Sequence, residues 1–435
     1  MIASILGFIG LFGLVLLRVP IAFAMIVVGT VGYAMLRSWD SAFRLAGNAA
    51  FDVPLSFTLA VIPLFILMGN LLTLSGVSDA LFSTAHRGLH RVRGGLAMST
   101  IVACGGFSAV CGSSLATAAT MSKVAMPTMR KTGYSDSLAT GSIAAGGTLG
   151  ILIPPSVVMI IYGLITQADI GKLFLAGILP GLMGVGFYLI TVSIVVRLRP
   201  QSAPSEGTVL PVSRADINGV IAVVSLFLVI MVGIYGGIFT PSEAAAIGAI
   251  VSLLIALARR SLTVENLFEA CKDTARTTAM IFALIIGAEI FSNFINFAGL
   301  PDAILAWVSG MDIGPFAVII VIMLVYIVLG AVLESLSMIL LTVPIFFPLV
   351  LSLDFGSTWL ATDAAVTIWF GILVVVVTEI SLISPPIGLN VFVLRSVLRD
   401  VPITTIFRGV LPFWGADLVR LAVLIALPAV SLIFA

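Results

Sequence analysis

Apolar residues in this chain come in long unbroken runs with little alternation. No Asp, Glu, Lys or Arg occurs in the 26 residues from Val53 to Ser78, the 29 from Gly94 to Ser122 or the 32 from Ser137 to Ala168. A helix spans the bilayer core in about 20 apolar residues, so runs of this length predict membrane-spanning helices. A β-barrel would show short alternating segments instead. Read from charge-free runs, the first half has crossings at about 2–17, 21–36, 52–76, 136–165 and 173–196, and the second at about 217–235, 242–258, 277–298, 363–394 and 404–434. Residues 95–131 and 314–350 remain. Each places small or polar residues and a charge or Gly pair between two short apolar halves, which suggests a re-entrant helical hairpin. Such hairpins are tolerated at membrane depth where protein or water covers the backbone. An ordinary pair of spanning helices is the alternative, and it leaves the topology count unchanged.

The two halves match. RVPIAFA with Pro20 precedes FTPSEAAA with Pro241 by 221 residues. Asn70, Gly76 and Asp79 precede Asn293, Gly299 and Asp302 by 223, and Ser113 precedes Ser335 by 222. Asp136 precedes Asp363 by 227, and Pro154-Pro155 precedes Pro385-Pro386 by 231. Five matches in one order with a slowly drifting offset predict a duplication: repeat 1 over 1–198, a Pro-rich polar linker over 199–216 and repeat 2 over 217–435. Five crossings is an odd number, so the repeats are expected to be inverted. Placing the N-terminus outside puts 17 of the 21 Lys and Arg residues on the cytoplasmic side, as positive-inside bias demands. Both termini are then expected outside, with the first hairpin entering from the cytoplasm and the second from outside. The expected fold is an all-α polytopic membrane protein of two inverted repeats.

Composition agrees. Hydrophobic residues make up 60% of the 435 and charged ones 9%, against roughly a quarter charged in soluble domains. Mean hydropathy is +1.24. These values exclude a soluble enzyme and a single-anchor protein, and the net charge of +1 gives no hint of nucleic acid. Cys104, Cys111 and Cys271 are in no metal or redox spacing and are expected to be small core residues. The first positive charge is Arg18, after the opening apolar run. A signal peptide wants that charge first, so Ala22–Ala24 is not expected to be a cleavage site and the first segment is expected to stay.

Inverted repeats with interrupted helices are how many secondary transporters are built, with sites near the midplane where the helices break. Four breaks stand out: GFSAVCGSSLATAAT (Gly106 to Thr120), GAVLESLS (Gly330 to Ser337), TLGILIPPS (Thr148 to Ser156) and TEISLISPPIGLN (Thr378 to Asn390). A Pro pair removes two N–H donors and frees carbonyls upstream. Freed carbonyls and Ser/Thr oxygens suit a hard cation, so each hairpin with its own Pro-Pro helix is expected to make one site, two in all. Pro kinks and small-residue packing are the structural alternative. The region between tips and breaks, with Ser108, Ser156 and Asn390, is where substrate is expected.

Buried acids are costly enough to suggest a role. Glu334 at the second hairpin turn and Glu379 before the second Pro-Pro break are candidates for coupling or substrate handling, with exposure to an aqueous cavity as the alternative. Glu243 fits a capping box after Thr240-Pro241. Glu289 matches Ile66 in the other repeat, so it lies outside the symmetric machinery. His86 and His90 lack the acid of a metalloprotease helix and look like the rim of an amphipathic segment. Gly177 and Gly181 fit close helix packing. There is no GxxxxGK[ST], hence no expected ATP hydrolysis.

Gly112 to Gly163, YGGIFTPSEAAA and SPPIGLNVFVL together resemble the large membrane subunit of tripartite ATP-independent periplasmic (TRAP) transporters over nearly the whole chain. Glu334 stands where that family often has Asp, and TMSKV where a Gly before the Ser is common. The resemblance implies an elevator-type carrier in the bacterial or archaeal inner membrane, with hairpins and broken helices sliding against a scaffold. It implies Na+-driven uptake of small organic acids, often carboxylates, delivered by a periplasmic binding protein. It also implies a separate small four-helix membrane subunit. By motif match, one Na+ site would draw on Gly112, Ser113, Ser114, Thr148 and Pro154, and the other on Glu334, Ser335, Ser337, Thr378, Ser384 and Pro385. A stand-alone ion-coupled carrier that needs no binding protein is the alternative, and a channel is a more remote one.

Overall fold

The structure is a computed structural model that describes residues 2–204, 212–311 and 313–434; among these, the regular elements are helices alone. The first half comprises α1 (Ile2–Leu16), α2 (Ile21–Leu36), α3 (Trp39–Leu55), α4 (Val61–Leu74), α5 (Val77–Leu89), α6 (Gly95–Cys111), α7 (Ser114–Lys131), α8 (Asp136–Thr148), α9 (Val157–Thr166) and α10 (Ile170–Leu198). The second comprises α11 (Arg214–Tyr235), α12 (Pro241–Ala258), α13 (Val264–Phe297), α14 (Leu300–Ser309), α15 (Pro315–Gly330), α16 (Ser335–Leu351), α17 (Asp363–Ile383), α18 (Leu389–Val397), α19 (Ile403–Ala426) and α20 (Ala429–Leu432).

The order repeats: α1 answers to α11, α2 to α12, α3 with α4 to α13, α5 to α14, the α6–α7 hairpin to α15–α16, and α8, α9 and α10 to α17, α18 and α19. Packing follows the same pairing. α2 runs along α13 as α12 runs along α4; α8 packs on α19 as α17 packs on α10; and α7 packs on α18 as α16 packs on α9. Each hairpin therefore touches the second half of the other repeat's broken helix.

Local chemistry sets the element ends. Gly76 and Gly299, at matching positions, adopt φ of 70° and 71° before α5 and α14, a conformation that costs a glycine little. Thr240 and Glu243 form the full capping box at the start of α12, with the Thr240 N–H donating to the Glu243 carboxylate at 2.8 Å, as the sequence suggested. α17 is buried along its length from Val366 to Ile383. A helix apolar on nearly every side belongs in the core, and this one is buried there.

Three sequence expectations are corrected. The crossing placed at 52–76 begins at Phe57, because α3 ends at Leu55 and Ser56 is extended after Pro54. α3 escaped notice since it carries charges, among them an Asp40–Arg44 pair at 3.0 Å. The crossing placed at 277–298 belongs to a 34-residue helix that starts at Val264, whose polar first turns are capped by Thr263. Cys271 lies exposed on those turns, whereas Cys104 and Cys111 are buried. Of the linker at 199–216, residues 205–211 lie outside the described ones; Pro200–Ser202 forms a 3₁₀ turn and α11 starts at Arg214.

Candidate functional site

The first hairpin turns where α6 gives way to Gly112 at φ 61°, and extended Ser113 caps α7 by accepting the Ala116 N–H at 3.4 Å. A Cβ on Gly112 would lie 3.0 Å from the Pro155 carbonyl oxygen, and one on Gly150 would lie 3.1 Å from the Ser113 backbone. The tip is thus pressed against the break of its own repeat. In the second hairpin, Glu334 caps α16, its carboxylate accepting from the Ser337 N–H at 3.3 Å and the Ser337 hydroxyl at 3.2 Å. Gly330, at the end of α15, sits directly against Ser381 of α17.

The two tips meet. A cavity of about 150 Å³ is lined by Gly112, Ser113 and Ser114 from one and Glu334 and Ser335 from the other. Its walls come from Ile151, Val157 and Val158 around the first break and from Leu382 and Leu389 around the second. The far side is Ile66 of α4 with Thr277, Met280 and Ile281 of α13. The space is large enough for ions or a small polar group. Hydroxyls and one carboxylate can face a cation there, while the helix N-termini at Ser114 and Ser335 favour negative charge.

The other expected ligand residues do not line this cavity. Thr148 Oγ donates to the Ala145 carbonyl at 2.8 Å and lies 3.1 Å from the Tyr188 hydroxyl. Thr378 donates to the Val374 carbonyl at 2.7 Å. Ser384 donates to the Ile380 carbonyl and accepts from Trp414 Nε1, both at 2.7 Å. Ser337 is engaged with Glu334. Pro154-Pro155 and Pro385-Pro386 both hold cis peptide bonds at the breaks. Of the residues expected near substrate, Ser156 caps α9 and donates to the Ile151 carbonyl at 2.6 Å. Asn390 receives the Ser114 hydroxyl on Oδ1 and donates to the Ala144 carbonyl, each at 3.0 Å. Ser108 Oγ is buried with no hydrogen-bond partner among the described residues.

Sequence reasoning missed a charge network in the core. Glu379 of α17 pairs with Arg420 of α19, whose Nη2 also lies 3.0 Å from Asp417 Oδ1. The Tyr188 hydroxyl donates to Asp417 Oδ2 at 2.6 Å. The aqueous alternative for Glu379 is overturned: it is 0% exposed and answered by a cation. The signal was present in Asp417 and Arg420, three residues apart inside an apolar helix. Glu289 instead faces a second cavity, of about 650 Å³, with Asp52, Ser292, Asn293 and Asn296, bounded also by α9 and α16. Gly177 and Gly181 pack against Leu152 and Ile153 at the first break.

Comparison with known proteins identifies this architecture. Residues 8–430 match the family model described as tripartite ATP-independent periplasmic transporter, DctM component. The chain is 34% identical to the C4-dicarboxylate TRAP transporter large permease protein DctM of Pseudomonas aeruginosa, over 92% of this chain and 90% of that one. It is 28% identical to the sialic acid TRAP transporter large permease protein SiaM of Vibrio cholerae, over 99% and 96%. It is 30% identical to the isethionate TRAP transporter permease protein DctMQ of Oleidesulfovibrio alaskensis, over 99% of this chain and 65% of that longer protein. The crystal structure of the Alcanivorax borkumensis YdaH transporter shares the fold, with a TM-score of 0.55 at 16% identity over 84% and 85% of the two chains. The chain belongs to the DctM family: it is a multi-pass inner-membrane transporter permease, not an enzyme.

Proposed function

We propose that this DctM-family permease uses Na+ to drive uptake of a small organic acid, a carboxylate in the first instance, by an elevator movement. Its partners are a separate small four-helix membrane subunit and a periplasmic binding protein that delivers the substrate. Both termini face the periplasm. One relative is a DctMQ permease about half as long again as this chain, which supports a second membrane component. Relatives carry C4-dicarboxylates and sialic acid in their names, which supports an acidic substrate.

The observation that carries the reading is the meeting of the two hairpin tips across one small cavity. Ser113 and Glu334 are the N-caps of the two inner hairpin arms, and Ser114 and Ser335 are the first residues of those arms. Two cation sites related by the inversion are the simplest use of that arrangement, with carbonyls at the breaks as additional oxygens. The hairpins and broken helices then form the moving part, and α1–α4 with α11–α13 the scaffold.

The test is the melting temperature of the purified protein, with the small subunit where it is needed, in NaCl against choline chloride at matched ionic strength. A ligand that binds only the folded state stabilises by RT ln(1 + [L]/Kd), about 2.7 kcal/mol at a hundredfold excess over Kd. A saturable Na+-specific rise is expected, weakened in Ser113→Ala and in Ser335→Ala. An unchanged Na+ response in both variants overturns the site assignment, and no response in the wild type overturns Na+ coupling.

A further inference from the structure

Another cavity, of about 660 Å³, lies where the end of α10 meets the first turns of α8 and α19. The meeting is held by backbone contacts. The Ser135 N–H, just before α8, donates to the Ser202 carbonyl at 3.0 Å, and the Ser202 N–H donates to the Arg199 carbonyl at 2.9 Å. A Cβ on Gly409 of α19 would strike the Ser137 carbonyl of α8, so its neighbour Arg408 is fixed beside the first turn of α8. Arg199 and Arg408 both line the cavity, with Ser135, Ser137 and Gln201. Among the described residues no Asp or Glu lines it, and neither guanidinium has an ion pair or a side-chain hydrogen bond. Other arginines nearby are answered: Arg130 by Asp136 and Asp400, and Arg395 by the carbonyls of Leu398 and Val401.

Two like charges that face one cavity repel, and an anion between them turns that repulsion into two charge-assisted hydrogen bonds. The N-terminus of α8 adds the positive end of its dipole. The rest of the wall is apolar: Leu138, Val195, Leu198 and Pro412. α10 and α19 are both long and apolar enough to cross a membrane. Ile190, Ile194 and Leu198 run up α10 from the cavity as exposed side chains four residues apart, which places them on one face. A free inorganic anion leaves that apolar surface without a partner, whereas a phospholipid meets both parts. We propose that the cavity binds the headgroup of an anionic phospholipid. Its phosphodiester lies between Arg199 and Arg408, its headgroup hydroxyls meet Ser135, Ser137 and Gln201, and an acyl chain follows the Ile190–Leu198 face of α10. Basic pockets between membrane helices suit such headgroups. The bound lipid joins the ends of α8, α10 and α19. The site depends neither on what the cavity between the hairpin tips binds nor on which leaflet it meets.

The test is the melting temperature of the delipidated protein in maltoside micelles and Na+-free choline buffer, with the small subunit where it is needed. Dioleoylphosphatidylglycerol, dioleoylphosphatidylcholine and choline phosphate are titrated in turn at constant ionic strength. A saturable rise is expected with phosphatidylglycerol, since a ligand of the folded state stabilises it, and none with the other two over the same concentrations. Arg199→Gln and Arg408→Gln are each expected to raise the half-saturating concentration about fivefold, and the double variant about 25-fold. Arg260→Gln, just beyond α12, which packs on α4 and α11, is expected to leave it unchanged. All three arginines are exposed, so the variants are expected to fold. No response to phosphatidylglycerol, or an equal one to phosphatidylcholine, removes recognition of the headgroup. An equal response to phosphate makes the cavity a site for a free anion. A double variant that responds like the wild type, or an Arg260→Gln protein that shifts as far as the pocket variants, places the lipid elsewhere on a diffuse basic surface. Each of these results overturns the proposal.

Discussion

Asn390 offers the sharpest separation of structural from ligand-binding roles near the hairpin tips. Both ends of its amide are engaged within the protein: Oδ1 accepts from Ser114 of α7 and Nδ2 donates to Ala144 of α8, each at 3.0 Å, with Asn390 and Ser114 both buried. It thereby ties α18 to the first hairpin and to the first broken helix. Asn390→Ala removes two hydrogen bonds, worth about 1 kcal/mol each, and strands a buried hydroxyl at a further cost of about 1–3 kcal/mol, so a loss of about 3–5 kcal/mol is expected. Ser114→Ala breaks one of those bonds and leaves Asn390 Oδ1 unpaired, costing about 2–4 kcal/mol on the same count. Each single variant includes the cost of stranding the other's partner, and the double variant does not. The double variant should therefore cost less than the sum of the singles by about 0.5–3 kcal/mol, the range for residues in one hydrogen-bond network. Reversible SDS titration in mixed micelles, read by tryptophan fluorescence, measures all four corners of the cycle. Additivity within a few tenths of a kcal/mol would refute the bond. A stable Asn390→Ala protein that had lost substrate binding alone would refute the structural role.

Three further outcomes follow from the geometry. Gly141 of α8 meets the Gly409 backbone of α19 so closely that a Cβ would strike the carbonyl; Gly141→Val should lose at least about 1–3 kcal/mol to overpacking in the same titration, and a neutral result would mean that the helices do not cross there. Tyr188→Phe deletes a 2.6 Å hydrogen bond to a buried carboxyl, which should cost about 1.5–3 kcal/mol, and a loss below 0.5 would mean that the bond is idle. Arg130 joins α7 to the start of α8 through Asp136 at 2.8 Å and to the loop before α19 through Asp400 at 2.6 Å, and its hydrogen bond holds the Asp400 carboxyl below its ordinary value. A depressed carboxylate adds stability above its unfolded value of about 4 and loses it as pH falls through the folded one, so Asp400→Asn should flatten the acid-side fall in melting temperature; a profile that still follows the wild type would show that the pair contributes nothing.

What the sequence disclosed was decided by charge. Runs without charge located α4, α8–α10 and α17, and the duplicated Gly, Pro and Ser positions located the hairpins and breaks, because a backbone that turns inside a membrane needs those residues. Helices that carry charges were invisible to that reading: α3, and the first turns of α13 with Glu265, Glu269 and Lys272. The candidate site was legible as two tips, since the repeat alignment sets Ser113 within one residue of the position that Glu334 and Ser335 hold in the other hairpin. That both tips close on one cavity was not legible, because contact between repeats depends on how two halves dock. Glu379 and Arg420 were each conspicuous in apolar helices, yet 41 residues separate them and nothing in their spacing announces a pair.

The docking explains why polar contacts gather where they do. α9 has ten residues and α18 nine, so at about 1.5 Å per residue neither alone spans more than about half of a roughly 30 Å core. Each half-helix must find its backbone and side-chain partners in neighbours, and the neighbours are the opposite repeat's hairpin arms, α16 and α7. The bonds from Asn390 to Ser114 and Ala144, and the run from Thr148 through Tyr188 and Asp417 to Glu379, all fall inside this crossed assembly. On the other side, Asn70 of α4 donates to Thr274 of α13 at 2.9 Å, within the helices proposed as the scaffold. The faces that meet between the two groups around the hairpin cavity are largely side chains such as Ile66, Met280 and Ile281. Hydrogen bonds are directional and break when their partners shift by an ångström or so, whereas apolar contact is non-directional and scales with area. Most of these directional bonds thus bind each group internally, with a Cys111–Thr73 contact crossing between α6 and α4, and the largely apolar seam between the groups is where the proposed sliding movement meets least resistance.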